Sequence, residues 1–220
     1  MMSNMKQIKH HLTEPLLMGY AAGTLPEAFS LVVATHISMC DTCRAALAEY
    51  DAIGGEVMLG NDPVDVAEDA LAATLALIEN ASPKPVVAAK PAKDSVLPAP
   101  LRDYVNGDLD AVKWRRVGGG VSQMVLSTSK DATVRLLHIP AGTAVPDHGH
   151  QGTELTLVLQ GAFVDATDRF AAGDVEVADE ELNHTPVAEA GMDCICLAAT
   201  DAPLRFNGFV PRMAQRLMGI

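Results

Sequence analysis

Residues 81–100 divide this chain into halves with different hydrophobic periods. The stretch contains five prolines, Pro83, Pro85, Pro91, Pro98 and Pro100, and no apolar repeat. Proline fixes φ and removes a backbone donor, so a run of this kind cannot sit inside a helix or a central strand. Its composition predicts an extended, semi-stiff spacer. At 220 residues the chain has room for two cores of about 100–150 residues each. The expected organisation is a helical unit over 1–82, a linker over 83–100 and a second unit over 101–220, held apart by the spacer and not fused into one core.

Residues 11–80 show helical spacing broken by start and stop signals. A first helix around Leu12–Ala22 should end at Gly23. Thr24-Leu25-Pro26-Glu27 then has the form of a capping box with proline in the first turn, so a second helix should run from about Leu25 towards Ser38. Asp41 or Thr42 can cap a third, ended by Gly54-Gly55. Asn61-Asp62-Pro63 should open a fourth, with Val66, Leu71, Leu75 and Ile78 as its apolar stripe. Beyond residue 100 the pattern changes to short alternating runs, best at Thr133–Ile139, Thr153–Gln160, Val175–Ala178 and Met192–Ala198, which predicts an antiparallel barrel or sandwich. Leu204–Val210 could close the sheet. Trp114 is expected to pack beside Val112 and Val117, and His138 to be structural.

The chain is 49% hydrophobic and 20% charged, with no run near the roughly 18 apolar residues of a membrane span and no secretory pattern at Met1–His11. A cytoplasmic location is expected. The net charge of −12 disfavours nucleic acid, whose phosphates reward Lys and Arg. Residues 1–80 hold eleven Asp and Glu against Lys6, Lys9 and Arg44, so eight of those twelve negative charges lie in the helical half. That half is expected to meet a basic partner.

Two clusters have the residue types of metal sites. His36 and Cys40 are four apart and share a helix face, with Cys43 just past the break at Asp41-Thr42. Thiolate and imidazole are usual zinc ligands, and a tetrahedral site needs a fourth, which His10 or His11 can supply. In a reducing compartment such cysteines read as metal ligands in preference to disulfides. In the second half, His148 and His150 stand at i and i+2 and point to one face of a strand, Glu154 can return to meet them, and His184 can complete the set. Three imidazoles and a carboxylate suit zinc, iron, manganese or nickel.

The segment His36-Ile37-Ser38-Met39-Cys40-Asp41-Thr42-Cys43, with a histidine upstream, resembles the zinc-binding anti-sigma domain over roughly residues 8–80. The resemblance implies an all-α, zinc-bound helical bundle with ligands His11, His36, Cys40 and Cys43, wrapped around an extracytoplasmic-function sigma factor. Gly142, five residues, His148-x-His150, three residues, Glu154, six residues and Gly161, followed by His184, match the cupin signature. Over residues 101–210 this resembles the cupin of an anti-sigma factor of the ChrR type, the kind that answers singlet oxygen. It implies an all-β cupin barrel holding a second divalent metal, with zinc the leading candidate, through His148, His150, Glu154 and His184.

Together these imply a cytoplasmic, non-enzymatic regulator. It would form a 1:1 complex with a sigma factor, bind neither nucleic acid nor membrane, and release the sigma factor under oxidative stress when the cupin is intact. No cysteine precedes Cys40, which moves a redox role to Cys194 and Cys196, two apart on one strand face. The alternative is a metal-dependent cupin dioxygenase with an accessory zinc domain.

Overall fold

The computed structural model describes residues 8–81, 95–149 and 151–202, and the backbone of 205–206. The expected linker falls largely on 82–94, outside the described residues. Among the described residues, four helices lie before that stretch: α1 (Glu14–Ala21), α2 (Glu27–Met39), α3 (Asp41–Leu59) and α4 (Ala70–Asn80). A fifth, α5 (Ala99–Val105), follows it.

Several helix ends differ from the expected signals for identifiable reasons. Gly23 does stop α1, taking the left-handed φ of 66° just past its cap. Thr24 does not cap α2; its hydroxyl donates back to the Gly19 carbonyl. The Glu27 carboxylate is likewise engaged elsewhere, accepting from the Tyr104 hydroxyl at 2.9 Å and the Ser129 N–H at 2.7 Å. Neither Asp41 nor Thr42 caps α3, because Cys40 does so, its sulfur accepting from the Cys43 N–H at 3.5 Å. Gly54-Gly55 does not end α3, which continues to Leu59. Each interior glycine costs about 1 kcal/mol relative to alanine, which a 19-residue helix tolerates. The Asn61 side chain donates to the Val57 and Met58 carbonyls, closing α3 instead of opening α4.

The second half is antiparallel β. Its strands are β1 (Arg115–Gly118), β2 (Val121–Val125), β3 (Thr133–Ile139), β4 (His148–Gly149), β5 (Glu154–Gln160), β6 (Ala162–Val164), β7 (Arg169–Ala171), β8 (Val175–Ala178), β9 (Asn183–His184), β10 (Val187–Ala188), β11 (Cys194–Thr200) and β12 (Arg205–Phe206). Six form a sheet in the order β1-β2-β3-β11-β5-β8; β10-β6-β7 and β12-β4-β9 form two smaller sheets opposite it. Of the run expected at Leu204–Val210, only Arg205–Phe206 is described, paired with β4; the rest lies outside the described residues.

The side chains of the large sheet divide by alternation into two cores. Val158, Ile139, Cys194 and Cys196 pack with Phe163, Phe170 and Ala188 inside the barrel. Leu136, Leu155, Leu157, Leu197 and Ala199 face outward, yet they are buried in one cluster with Phe29, Val32 and Val33 of α2 and with Leu97 and Leu101. The two units are therefore not held apart: α2 lies on the outer face of the sheet, and the helical half completes the barrel's second core. This explains why β11 is buried at every position, since a central strand covered on both faces has no solvent side. Trp114 packs on that outer core, with its ring 5.6 Å from His138, whereas Val117 packs on the inner one. His138 is structural, its Nε2 lying 2.8 Å from Asp193 Oδ2.

Candidate metal centres

The N-terminal centre is assembled by three segments. The extended stretch before α1 supplies His11, the last turn of α2 supplies His36, and the start of α3 supplies Cys40 and Cys43. One donor atom from each lies within 4.8 Å of all the others. His11 Nδ1 is 3.3 Å from the Cys40 sulfur and 3.6 Å from that of Cys43, and the His11 and His36 rings meet edge-on with centroids 6.3 Å apart. A tetrahedral zinc with N and S ligands sets its donors about 3.4–3.8 Å apart, so the four side chains fit such an ion. His10, the alternative neighbour, turns away: its ring packs on Phe170 at 4.4 Å, with Nε2 3.5 Å from Asp168.

The electrostatics point the same way. Burial, aided by the charge of His11, pushes His36 down to about 4, against opposing effects of the Gly173 backbone and Asp174, so its imidazole is neutral at pH 7. Among the described residues, neither buried His36 nitrogen has a hydrogen-bond partner. An unpartnered buried polar group costs about 1–3 kcal/mol, which a bound cation would recover. Burial and the neighbouring Cys40 push the Cys43 thiol up to about 11. A metal would supply the positive charge that stabilises the thiolates, releasing protons as it binds.

The second candidate centre lies on β4 and β9 of the small β12-β4-β9 sheet. His148 and His184 are direct cross-strand partners on β4 and β9, with ring centroids 4.7 Å apart. His148 Nδ1 lies 2.9 Å from the Pro146 carbonyl, which assigns its proton to Nδ1 and makes Nε2 the basic nitrogen. Burial lowers its pKa, partly offset by Pro146 and the Glu154 carboxylate. Glu154 opens β5, with Oε1 accepting from the Thr156 hydroxyl at 3.1 Å. His150 lies outside the described residues.

The sequence reading missed the carboxylates behind His184. Asp165 Oδ2 lies 2.7 Å from His184 Nδ1 and Glu176 Oε1 3.4 Å from it, both side chains being buried. Burial alone would lower His184, but hydrogen bonds to the two carboxyl groups outweigh it and raise it to about 9. Burial and the neighbouring Asp165 push Glu176 up to about 7. Burial opposes ionisation of Asp165 too, yet hydrogen bonds from Thr167, Glu176 and His184 hold it well below the usual carboxylate range. Such partners fix the ring orientation and tautomer of a metal-ligating histidine. Two signals were available: Asp165-Ala-Thr167-Asp168 is a turn in which Oδ1 accepts from Thr167 N–H at 2.8 Å, and Glu176 is a charge inside an otherwise apolar strand.

Arg135 was also missed. It is buried, donates to Gln123 Oε1 at 3.2 Å and lies in the field of Glu154. Cys194 and Cys196 face the barrel interior with sulfurs 3.5 Å apart. The neighbouring Cys194 and burial raise Cys196 well above an ordinary thiol, so it is protonated at neutral pH.

The family described as the ChrR cupin-like domain matches residues 103–202. The anti-sigma-E factor ChrR of Cereibacter sphaeroides is 59% identical over 208 residues, covering 94% of this chain and 97% of that protein. A crystal structure of Rhodobacter sphaeroides SigE in complex with the anti-sigma factor ChrR superposes with a TM-score of 0.79 at 57% identity, covering 89% of this chain and 100% of the matched chain. The similarity spans both units, so this chain belongs to the ChrR family of anti-sigma factors.

Proposed function

We propose that this protein is an anti-sigma factor that binds and inhibits an extracytoplasmic-function sigma factor in a 1:1 complex through its helical unit, with zinc at His11, His36, Cys40 and Cys43. The cupin, holding a second divalent metal through His148, His150, Glu154 and His184, is needed to release the sigma factor under oxidative stress of the singlet-oxygen type. The match to an anti-sigma factor through both units supports the activity.

The observation that carries the reading is the surface left uncovered on the helical unit. From Ile53 onward α3 turns Ile53, Val57, Met58 and Leu59 to solvent, and α4 buries no residue at all, leaving Leu71, Leu75, Leu77 and Ile78 exposed. An apolar surface of this extent marks an interaction site. On α4, positions 71, 75 and 78 fall on one face, the spacing with which a helix engages a groove. The acidic surroundings, Glu56, Asp62, Asp65, Glu68, Asp69 and Glu79, suit a sigma factor, which presents basic surfaces to DNA; such charge speeds encounter while apolar contacts supply affinity.

The test is co-expression with the cognate sigma factor. A stable 1:1 complex that silences sigma-dependent transcription in vitro, and releases active sigma factor when a chelator strips the metals, is expected. A chain that purifies alone and leaves transcription unchanged would refute the assignment.

A further inference from the structure

The N-terminal candidate centre borders the barrel. Its first candidate ligand, His11, lies in extended chain that the barrel holds by the backbone. Asp174, at the turn between β7 and β8, accepts with Oδ1 from the Lys9 N–H at 2.7 Å and from the His10 N–H at 3.0 Å, while Oδ2 accepts from Ala171 N–H at 2.8 Å. The Val175 N–H donates to the His10 carbonyl at 3.2 Å. Gly173 has φ of 100°, and a Cβ there would lie 2.6 Å from Ile8 Cγ1, so both its backbone and the close approach of Ile8 require glycine.

We infer that the β7–β8 turn, through Asp174 and Gly173, positions the segment carrying His11, so that the barrel orients one ligand of the N-terminal metal centre. This rests on the reading of His11, His36, Cys40 and Cys43 as metal ligands. Asp174 acts through the N–H groups of Lys9 and His10, and Val175 through the His10 carbonyl. Two residues further along β8, Glu176 stands against His184, so one strand meets both centres, and a shift of β8 shifts a ligand of the N-terminal one.

The test uses the full chain loaded with cobalt(II), whose thiolate charge-transfer absorption reports only a cysteine-ligated site, titrated against a chromophoric chelator. Asp174→Ala should weaken N-terminal cobalt binding by about 10–100-fold, the usual effect of losing a residue that orients a ligand. Asp174→Asn retains an acceptor oxygen for the Lys9 and His10 N–H groups but turns an amide NH2 towards the Ala171 N–H, so it should recover only part of the affinity. Gly173→Ala, which displaces Ile8 and strains the turn at its positive φ, should weaken binding in the same direction. A wild-type chain with no thiolate–cobalt absorption would overturn the metal site itself. Wild-type absorption with all three variants within threefold of wild type would overturn only the positioning role.

Discussion

The double substitution Leu71→Ala with Ile78→Ala should separate sigma binding from folding. Leu71 is 72% exposed and Ile78 is 65% exposed, and α4 buries no residue. Fully burying a leucine or isoleucine contributes about 2 kcal/mol, so covering the exposed part of both side chains is worth about 2.7 kcal/mol. Truncation leaves the β-carbons to be buried, reducing the expected loss to about 2 kcal/mol, or roughly 30-fold in Kd. In the free protein these side chains give up little packing, and alanine is the better helix former by a few tenths of a kcal/mol. The melting temperature should therefore stay within about 2 °C of wild type. Anisotropy of a labelled sigma factor measures the first quantity and calorimetry the second. A Kd within threefold of wild type would refute the docking face. A fall of several degrees in melting temperature would show that α4 packs against its own chain.

The remaining predictions concern the metal, the shared core and one half-buried bracket. Cys40→Ser keeps an oxygen able to cap α3, since serine is a good N-cap, so its loss of N-terminal metal and of sigma inhibition isolates ligation from capping; retention of both in atomic absorption and transcription assays would count against the site. Leu197→Ala, at a fully buried position beneath α2, should cost about 3 kcal/mol and destabilise helices and barrel in a single calorimetric transition, whereas two separate transitions would contradict the shared core. Asp108 accepts from Ser95 Oγ and from the Val96, Leu97 and Leu109 N–H groups. These bonds outweigh burial and lower its pKa. Its contribution should be present above the unfolded carboxyl value and disappear as pH falls through the lower folded one. Denaturation of wild type and Asp108→Ala should thus diverge at pH 7 and converge in acid; a constant difference would contradict the bracket.

The sequence showed some parts of the fold plainly and concealed others for physical reasons. Strand β3 could be read because Thr133–Ile139 combines β-branched residues with alternation, whereas the alternating run expected at Met192–Ala198 lies at Cys194–Thr200 and is buried at every position because it is covered on both faces. Helix ends were harder: Thr24 and Asn61 are good capping residues whose side chains bond other carbonyls, and the sulfur of Cys40 caps a helix for which Asp41 or Thr42 offered the usual oxygen. The proline-rich stretch suggested separation, but proline content limits local backbone and says nothing of whether the flanking apolar faces match, as α2 and the outer sheet do. At the site, His11, His36, Cys40 and Cys43 stood out by residue type. Asp165, Glu176 and Asp174 did not, since an isolated carboxylate in a turn or strand has no spacing to announce its long-range partner.

The division of labour between the two units is tested most directly by a sigma-dependent reporter in cells carrying His148→Ala or Glu154→Ala, with and without singlet oxygen. Sigma binding should survive these changes, because neither residue contributes to the N-terminal centre or to the exposed face of α4. Reporter activity is predicted to remain low in both conditions, against strong induction in wild type. Normal induction in both variants would contradict control of release by the cupin site.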